Sequence, residues 1–449
     1  WKYGVAATWA GLGNAFLGSL LAWAVLGRRT RVMTQHLDSA TMPEFFGRRF
    51  DSRALKLCAS VIIFIFLIPY TASLYNGLSR LFGMAFAIDY SVCVVVMAIL
   101  TGVYVIAGGY MATAINDFIQ GIIMLAGIAA VIGAVLHTQG GFLAALEKLA
   151  RVQGDSGVPG VYASFFGPDP VNLLGVVLLT SLGTWGLPQM VQKFYAIKSE
   201  AAISKGTVIS TVFALVVAGG CYFLGGFGRL YADRIDIQAN GYDSIIPVML
   251  SGLPAILIAV VVILVLSASM STLSSLVLAS SSTLTLDFIK GNIIKDMDEK
   301  RQVRWMRGLV VVFIAISVVL ALIQYKSSVT FIAQLMGVSW GALAGAFLAP
   351  FLYGLYWKRT TKAACWVSFV FSAVFMLAVI SPLKTALPPL LQSPINAGAF
   401  CMIAGLVIVP AVSLFTRAPG EKRLEEIFSC YERRVTVTVK DSIGEQNSH

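Results

Sequence analysis

Charge is what this sequence has least of: Asp, Glu, Lys and Arg make up 12% of its 449 residues, against 57% hydrophobic. A soluble chain needs a largely polar surface, so this balance makes lipid the solvent for most of the protein. Histidine is nearly absent as well. His36, His137 and His449 are the only three, and none lies near another in sequence or beside a cysteine or carboxylate cluster. The parts for metal-centred or triad chemistry are therefore missing, and an enzyme is not expected. The six cysteines (Cys58, Cys93, Cys221, Cys365, Cys401, Cys430) include no CxxC pair and fall mostly in apolar stretches. They read as small core residues, with neither a disulfide framework nor a zinc site. Also lacking are the alternating segments of about ten residues that build a membrane β-barrel; the apolar runs reach roughly twenty residues and more, which suits helices. The expected fold class is all-α and integral to the membrane.

The net charge of +11 would point to nucleic acid in a soluble chain. Here the cations sit at the ends of the apolar runs, so no nucleic-acid partner is expected and the lipid bilayer is the surrounding medium. Eleven spans are expected at about 3–26, 55–82, 90–110, 113–137, 171–195, 204–230, 254–288, 305–324, 331–357, 365–382 and 396–416. An odd count puts the termini on opposite sides, and the basic residues choose between them. One side receives Arg28, Arg29, Arg31, Arg48, Arg49, Arg53 and Lys56, then Lys193, Lys198 and Lys205, then Lys290 through Arg307, Lys358, Arg359, Lys362 and the tail. That side is expected to be cytoplasmic in a multi-pass protein of the cell membrane, with the C-terminus inside and Trp1 outside. The expected division is a transmembrane domain, 1–416, and a cytoplasmic tail, 417–449, whose polar last residues have little to bury. The chain opens on Trp1 and enters an apolar helix at once, so it is expected to be truncated at its N-terminus.

Polar groups inside the membrane are costly unless they pair or serve a hydrated pathway, and two places carry them. In the seventh span, Ala268, Ser271, Thr272 and Ser275 recur at i, i+3, i+4 and i+7 and so share a face. Hydroxyls and a backbone carbonyl on one face can supply oxygens to a hard monovalent cation; equally, Ser and Thr can bond back to the preceding turn or ease helix packing. The second place is Asp117, at the start of the fourth span, which could serve an ion or cap its own helix. The fifth span carries Ser181-Leu182-Gly183-Thr184-Trp185-Gly186-Leu187-Pro188-Gln189. Such a run either kinks the helix or interrupts it, and interrupted helices are where transporters expose backbone groups to cargo. Gly337, Gly341 and Gly345 form a small-residue stripe suited to close packing.

Three segments resemble the solute:sodium symporter family: Thr41-Met42-Pro43-Glu44-Phe45-Phe46-Gly47-Arg48-Arg49-Phe50, the Gly108-Gly109 turn leading to Asn116-Asp117-Phe118-Ile119-Gln120, and Met270-Ser271-Thr272-Leu273-Ser274. The order and spacing of the motifs carry the resemblance, which runs from about Trp1 to Thr416 and is nearest the proline, pantothenate and acetate permeases. It implies a LeuT-type inverted-repeat bundle that here begins after the first core helix, so part of the expected site is missing. It also implies that the coupling sodium takes the Ala268 carbonyl and the Ser271 and Thr272 hydroxyls, and that Asp117 serves sodium movement; the family commonly has Thr at Asn116. At Thr180 and Thr184 the chain departs from the aromatic residues of the proline permeases, and Gly186-Leu187-Pro188 is closer to the pantothenate and acetate members.

The function expected is therefore Na+-coupled symport of a small organic solute, an amino acid such as proline, pantothenate or a monocarboxylate, by alternating access. The solute is expected against Thr180, Thr184, Trp185, Pro188 and Gln189. The alternative is a transporter-like sensor that binds solute without net flux.

Overall fold

The computed structural model describes residues 1–154, 157–195, 197, 200–290, 292–294, 296–327 and 332–432, with backbone alone at 108–114, 116, 200, 201, 239, 240, 326 and 327. The Gly108-Gly109 turn, Asn116 and the tail from 433 onward thus lie outside the described side chains. No strand occurs among the described residues.

Ten helices are long and apolar enough to cross a membrane, and one bent pair brings the count to eleven. They are α1 (Gly4–His36), α2 (Arg53–Phe86), α3 (Tyr90–Ala107), α4 (Asp117–Thr138), α5 (Pro170–Gly186 with Pro188–Tyr195), α6 (Ala202–Gly225), α7 (Ala255–Ile289), α8 (Glu299–Tyr325), α9 (Ile332–Tyr356), α10 (Lys362–Ile380) and α11 (Pro394–Phe415). Hydrocarbon offers no partner to a free amide or carbonyl, so each apolar run closes its own backbone bonds as a helix. Thr101 of α3 and Asp117 of α4 both meet the Met270-Ser271 turn of α7. Large apolar side chains such as Val103, Phe118, Ile122, Val311 and Val407 remain exposed on the outer faces, as lipid contact requires.

Helix α9 is the axis of the bundle, with 89% of its most apolar stretch buried. The glycine stripe explains how. A Cβ on Gly341 would lie 2.6 Å from the Gly398 backbone of α11, and one on Gly345 would lie 2.7 Å from Cys401. Only hydrogen at these positions lets α9 and α11 approach so closely. In α1 the backbone widens to a π-helix over Asn14–Leu21 and Trp23–Gly27, and its first π segment lies against α5.

At the basic end, two guanidinium groups gather on the terminal carbonyls of α9. Arg49 is buried to 2% exposure and donates to the carbonyls of Gly354 and Trp357, while Arg29 donates to Leu355. These carbonyls are the negative pole of α9, which offsets the buried charge. A short helix, Glu421–Phe428, follows α11 and closes over them. Phe428 covers Arg49, the Tyr431 ring covers Arg29, and Arg423 pairs with Asp51 at 3.2 Å. The first part of the polar tail is thus docked through Leu424, Ile427 and Phe428.

Candidate functional site

The hydroxyl-rich part of α7 faces inward. Ser267, Ser269 and Ser274 are buried, and Ala268, Ser271 and Thr272 are half-buried. Thr272 Oγ1 donates to the Ala268 carbonyl at 2.9 Å, and Ser274 and Ser275 donate to the Ser271 carbonyl at 2.9 and 3.1 Å. Back-bonding to the preceding turn therefore does occur here. It leaves the lone pairs of each hydroxyl oxygen available, because a hydroxyl that donates one hydrogen still accepts. The local reading and the cation reading are compatible at the hydroxyl oxygens, while the Ala268 carbonyl already accepts from Thr272.

The partner on the opposing helix is Asp117. Its carboxylate interacts with the Ser271 hydroxyl and lies within electrostatic range of Lys193. Asp117 Oδ1 is buried with no hydrogen-bond partner, and so is Gln120 Oε1 one turn later on α4. The carboxylate turns across to α7, which is not how a helix cap is used. Thus two features far apart in sequence, the α7 hydroxyls and Asp117, form one oxygen-rich seam with an anionic member and unspent acceptors. A small hard cation suits such a donor set.

The fifth span is broken. Its two halves meet at 43°, with Leu187 in an extended conformation between them. Pro188 brings no amide to the ladder, and the close packing of Gly183 and Gly186 holds the break in place. A Cβ at Gly186 would meet the backbone of Ala344 and Leu348 at 2.8–2.9 Å, and one at Gly183 would meet the Trp340 ring at 2.6 Å. Below the break, Leu187 and Val191 share a buried core with Leu273, Leu276 and Val277 of α7, so the break and the oxygen seam sit on adjoining elements.

The side chains expected to hold solute divide into two groups. Thr184 Oγ1 donates to the Gly18 carbonyl at 2.7 Å and Trp185 Nε1 to the Leu17 carbonyl at 2.9 Å, both on the π-helical segment of α1. Asn14 of that segment donates to the Thr180 carbonyl at 2.9 Å, and the Thr180 hydroxyl bonds back to Val176. These residues dock α1 onto α5, using backbone groups that a π-helix leaves exposed. Gln189 differs. It is 4% exposed, and neither its amide nitrogen nor its oxygen has a partner, an arrangement too costly for a purely structural residue.

Two neighbours were not singled out from the sequence. Trp340 Nε1 is buried without a hydrogen-bond partner within the usual geometry, and the ring lies edge-on to Tyr70 at 5.7 Å, against Gly183. Its position in mid-span was a signal, since membrane tryptophans favour the interfaces. The other is a buried ion pair at the basic end. Asp287 of α7 is 1% exposed and meets Lys56 Nζ at 3.1 Å and the Thr41 hydroxyl at 2.6 Å. Thr41, otherwise the N-cap of Met42–Arg49, accepts from the Glu44 amide. This network ties the 41–50 segment to α2 and α7.

Comparison with known proteins bears on what this architecture belongs to. A family profile described as the sodium:solute symporter family matches residues 1–371. The sodium/proline symporter of Staphylococcus aureus is 29% identical over 93% of this chain and 81% of its own length. The osmoregulated proline transporter OpuE of Bacillus subtilis (strain 168) is 27% identical over 93% of this chain and 82% of its own. Among solved structures, a Na+-coupled sialic acid symporter in a substrate-bound outward-open state superposes with a TM-score of 0.65 at 15% identity, over 94% of this chain and 92% of that one. At that identity the likeness speaks for the fold, which is the LeuT-type bundle. With the broken fifth span and the oxygen seam, these matches establish that the chain belongs to the sodium:solute symporter family, multi-pass membrane transporters whose coupling ion is sodium.

Proposed function

We propose that the protein imports a small carboxylate-bearing solute, an amino acid such as proline, pantothenate or a monocarboxylate, together with sodium by alternating access. The observation that carries this reading is the seam between α4 and α7, where the Asp117 carboxylate, its Oδ1 without a partner, meets Ser271 beside the broken α5. Sodium takes the Ala268 carbonyl and the Ser271 and Thr272 hydroxyls, and Asp117 draws the ion into the seam. A cation there stabilises one arrangement of the bundle over the other, and that differential affinity is what couples ion to solute.

In this reading the solute lies at the α5 break. Gln189 supplies the directional hydrogen bonds, and Thr180, Thr184, Trp185 and Pro188 shape the wall. Thr184 and Trp185 act largely by holding α1 in place, since their donors are spent on Leu17 and Gly18. The proline transporters among the relatives support an amino acid, whereas Thr180 and Thr184 favour a different solute shape from theirs. The basic end faces the cytoplasm of the cell membrane, in keeping with the positive-inside rule.

The test is uptake by the full-length protein in liposomes under an inward Na+ gradient, against proline and other amino acids, pantothenate, monocarboxylates and sugars. Accumulation of one carboxylate-bearing solute that collapses without the gradient is expected. Accumulation of none, or equal accumulation with and without sodium, refutes the reading.

A further inference from the structure

An open cavity of about 470 Å³ lies at the basic end, between the last turns of α1 and the second half of α5. Its lining includes Arg31, Gln35, Asp38, Gln192 and Tyr195. This is enough room for a small organic solute. We infer that it is an exit site, where a carboxylate-bearing solute released from the α5 break is held by Arg31 and Tyr195 before it leaves. The inference rests on the symport reading above and extends it to a second solute position.

Three observations carry it. The first is position. Gln189, Gln192 and Tyr195 follow one another at i, i+3 and i+6 on the Pro188–Tyr195 helix, so their side chains form a polar ladder that winds about a third of a turn around it, with Gln192 and Tyr195 reaching the cavity. At a rise of 1.5 Å per residue the ladder is about 9 Å long. A solute leaving the break therefore has a row of hydrogen-bonding groups from its binding position to the cavity.

The second is charge. No carboxylate pairs with Arg31 among the described residues; with the Gln35 amide turned so that its oxygen faces the guanidinium, Arg31 donates to it at 2.6 Å, a neutral acceptor that a carboxylate can displace. The carboxylate in the lining, Asp38, is on the rim, where its side chain is 94% exposed and lies 3.7 Å from Arg48. Arg31 is thus the one cation among the described lining residues, with Asp287 and Glu44 within electrostatic range of Tyr195 behind it, and a guanidinium fork matches a carboxylate in both geometry and charge.

The third is an unspent donor. Tyr195 Oη is buried without a hydrogen-bond partner, whereas the other hydroxyls at the floor are used locally, Thr34 on the Thr30 carbonyl and Ser39 on the Thr34 carbonyl. Burying a phenol without a partner is unfavourable. A solute carboxylate on Arg31 would satisfy it.

The experiment compares transport in the two directions in liposomes holding oriented full-length protein, with L-proline, pantothenate and acetate as probes. For the probe that the unmodified protein moves, Arg31→Gln and Tyr195→Phe are expected to raise the half-saturating concentration for efflux from the basic side relative to that for uptake. The expected rise is about tenfold for Arg31→Gln, the loss of one charged hydrogen-bonded contact, and about threefold for Tyr195→Phe. Tyr195→Phe removes one oxygen and preserves the packing, so it guards against a folding defect in the other variant. An unchanged ratio in both variants overturns the exit site, and so does an equal change in both directions, which would mean a single central site. If the unmodified protein moves none of the probes in either direction while sodium-driven uptake of a solute without a carboxylate is found, symport stands and the exit site falls. If no solute is moved at all, the symport reading itself fails.

Discussion

Replacing Asp117 by Asn tests the oxygen seam directly. Asparagine preserves shape and one carbonyl oxygen but removes the charge, and Asp117 Oδ1 makes no hydrogen bond that the change would break. A unit charge about 4 Å from a cation at an effective dielectric of about 20 contributes about 4 kcal/mol. The amide dipole retains part of this, and taking half as retained leaves a loss of about 2 kcal/mol. That corresponds to roughly a 30-fold rise in the sodium concentration for half-maximal uptake. The assay is initial-rate uptake by the full-length protein in liposomes, titrated with Na+ at saturating solute, with choline holding ionic strength constant. The maximal rate at saturating sodium should fall much less than the sodium affinity. A half-saturating sodium concentration within twofold of the unmodified protein would refute the assignment of Asp117 to the cation pathway.

Further substitutions separate ion binding, solute binding and stability. Ser271→Ala and Thr272→Val should each raise the half-saturating sodium concentration about tenfold, the cost of one oxygen ligand to a charged group, while solute half-saturation at saturating sodium moves less than threefold. Gln189→Leu should abolish solute-dependent transport yet raise thermal stability in detergent by about 1 kcal/mol, because it removes two buried, unpaired polar atoms; lower stability would show that Gln189 is structural. Lys56→Met should destabilise the protein by about 3 kcal/mol by leaving Asp287 buried and unpaired, and adding Asp287→Leu should restore most of the loss, as read by thermal unfolding. Gly186→Ala should cost about 1–3 kcal/mol in the same assay, since the new methyl group meets backbone atoms of α9 that cannot move aside.

Much of this protein follows from local pattern. The apolar runs alone determine an all-helical membrane bundle, because in lipid a helix is the structure in which an isolated segment satisfies its own backbone. The distortion of α5 is equally local: Gly183, Gly186 and Pro188 predict either a kink or a break at this point, and the 43° bend with extended Leu187 is the break. The shared face of Ala268, Ser271, Thr272 and Ser275 needs nothing beyond the period of a helix. What these patterns do not contain is the identity of the opposing surface. Asp117 reads in sequence as either a cap or an ion ligand, and only the packing of α4 on α7 turns its carboxylate toward Ser271. Thr184 and Trp185 read as groups for solute, and only the π-helical backbone of α1 draws their donors away. Arg49 reads as one more cation at a membrane edge until the end of α9 supplies the carbonyls that permit its burial. In each case the deciding partner lies on another helix. Helical periodicity fixes the direction a side chain takes from its own axis; which group it meets depends on how close helices can approach, and that is set by the small residues and breaks along the whole bundle.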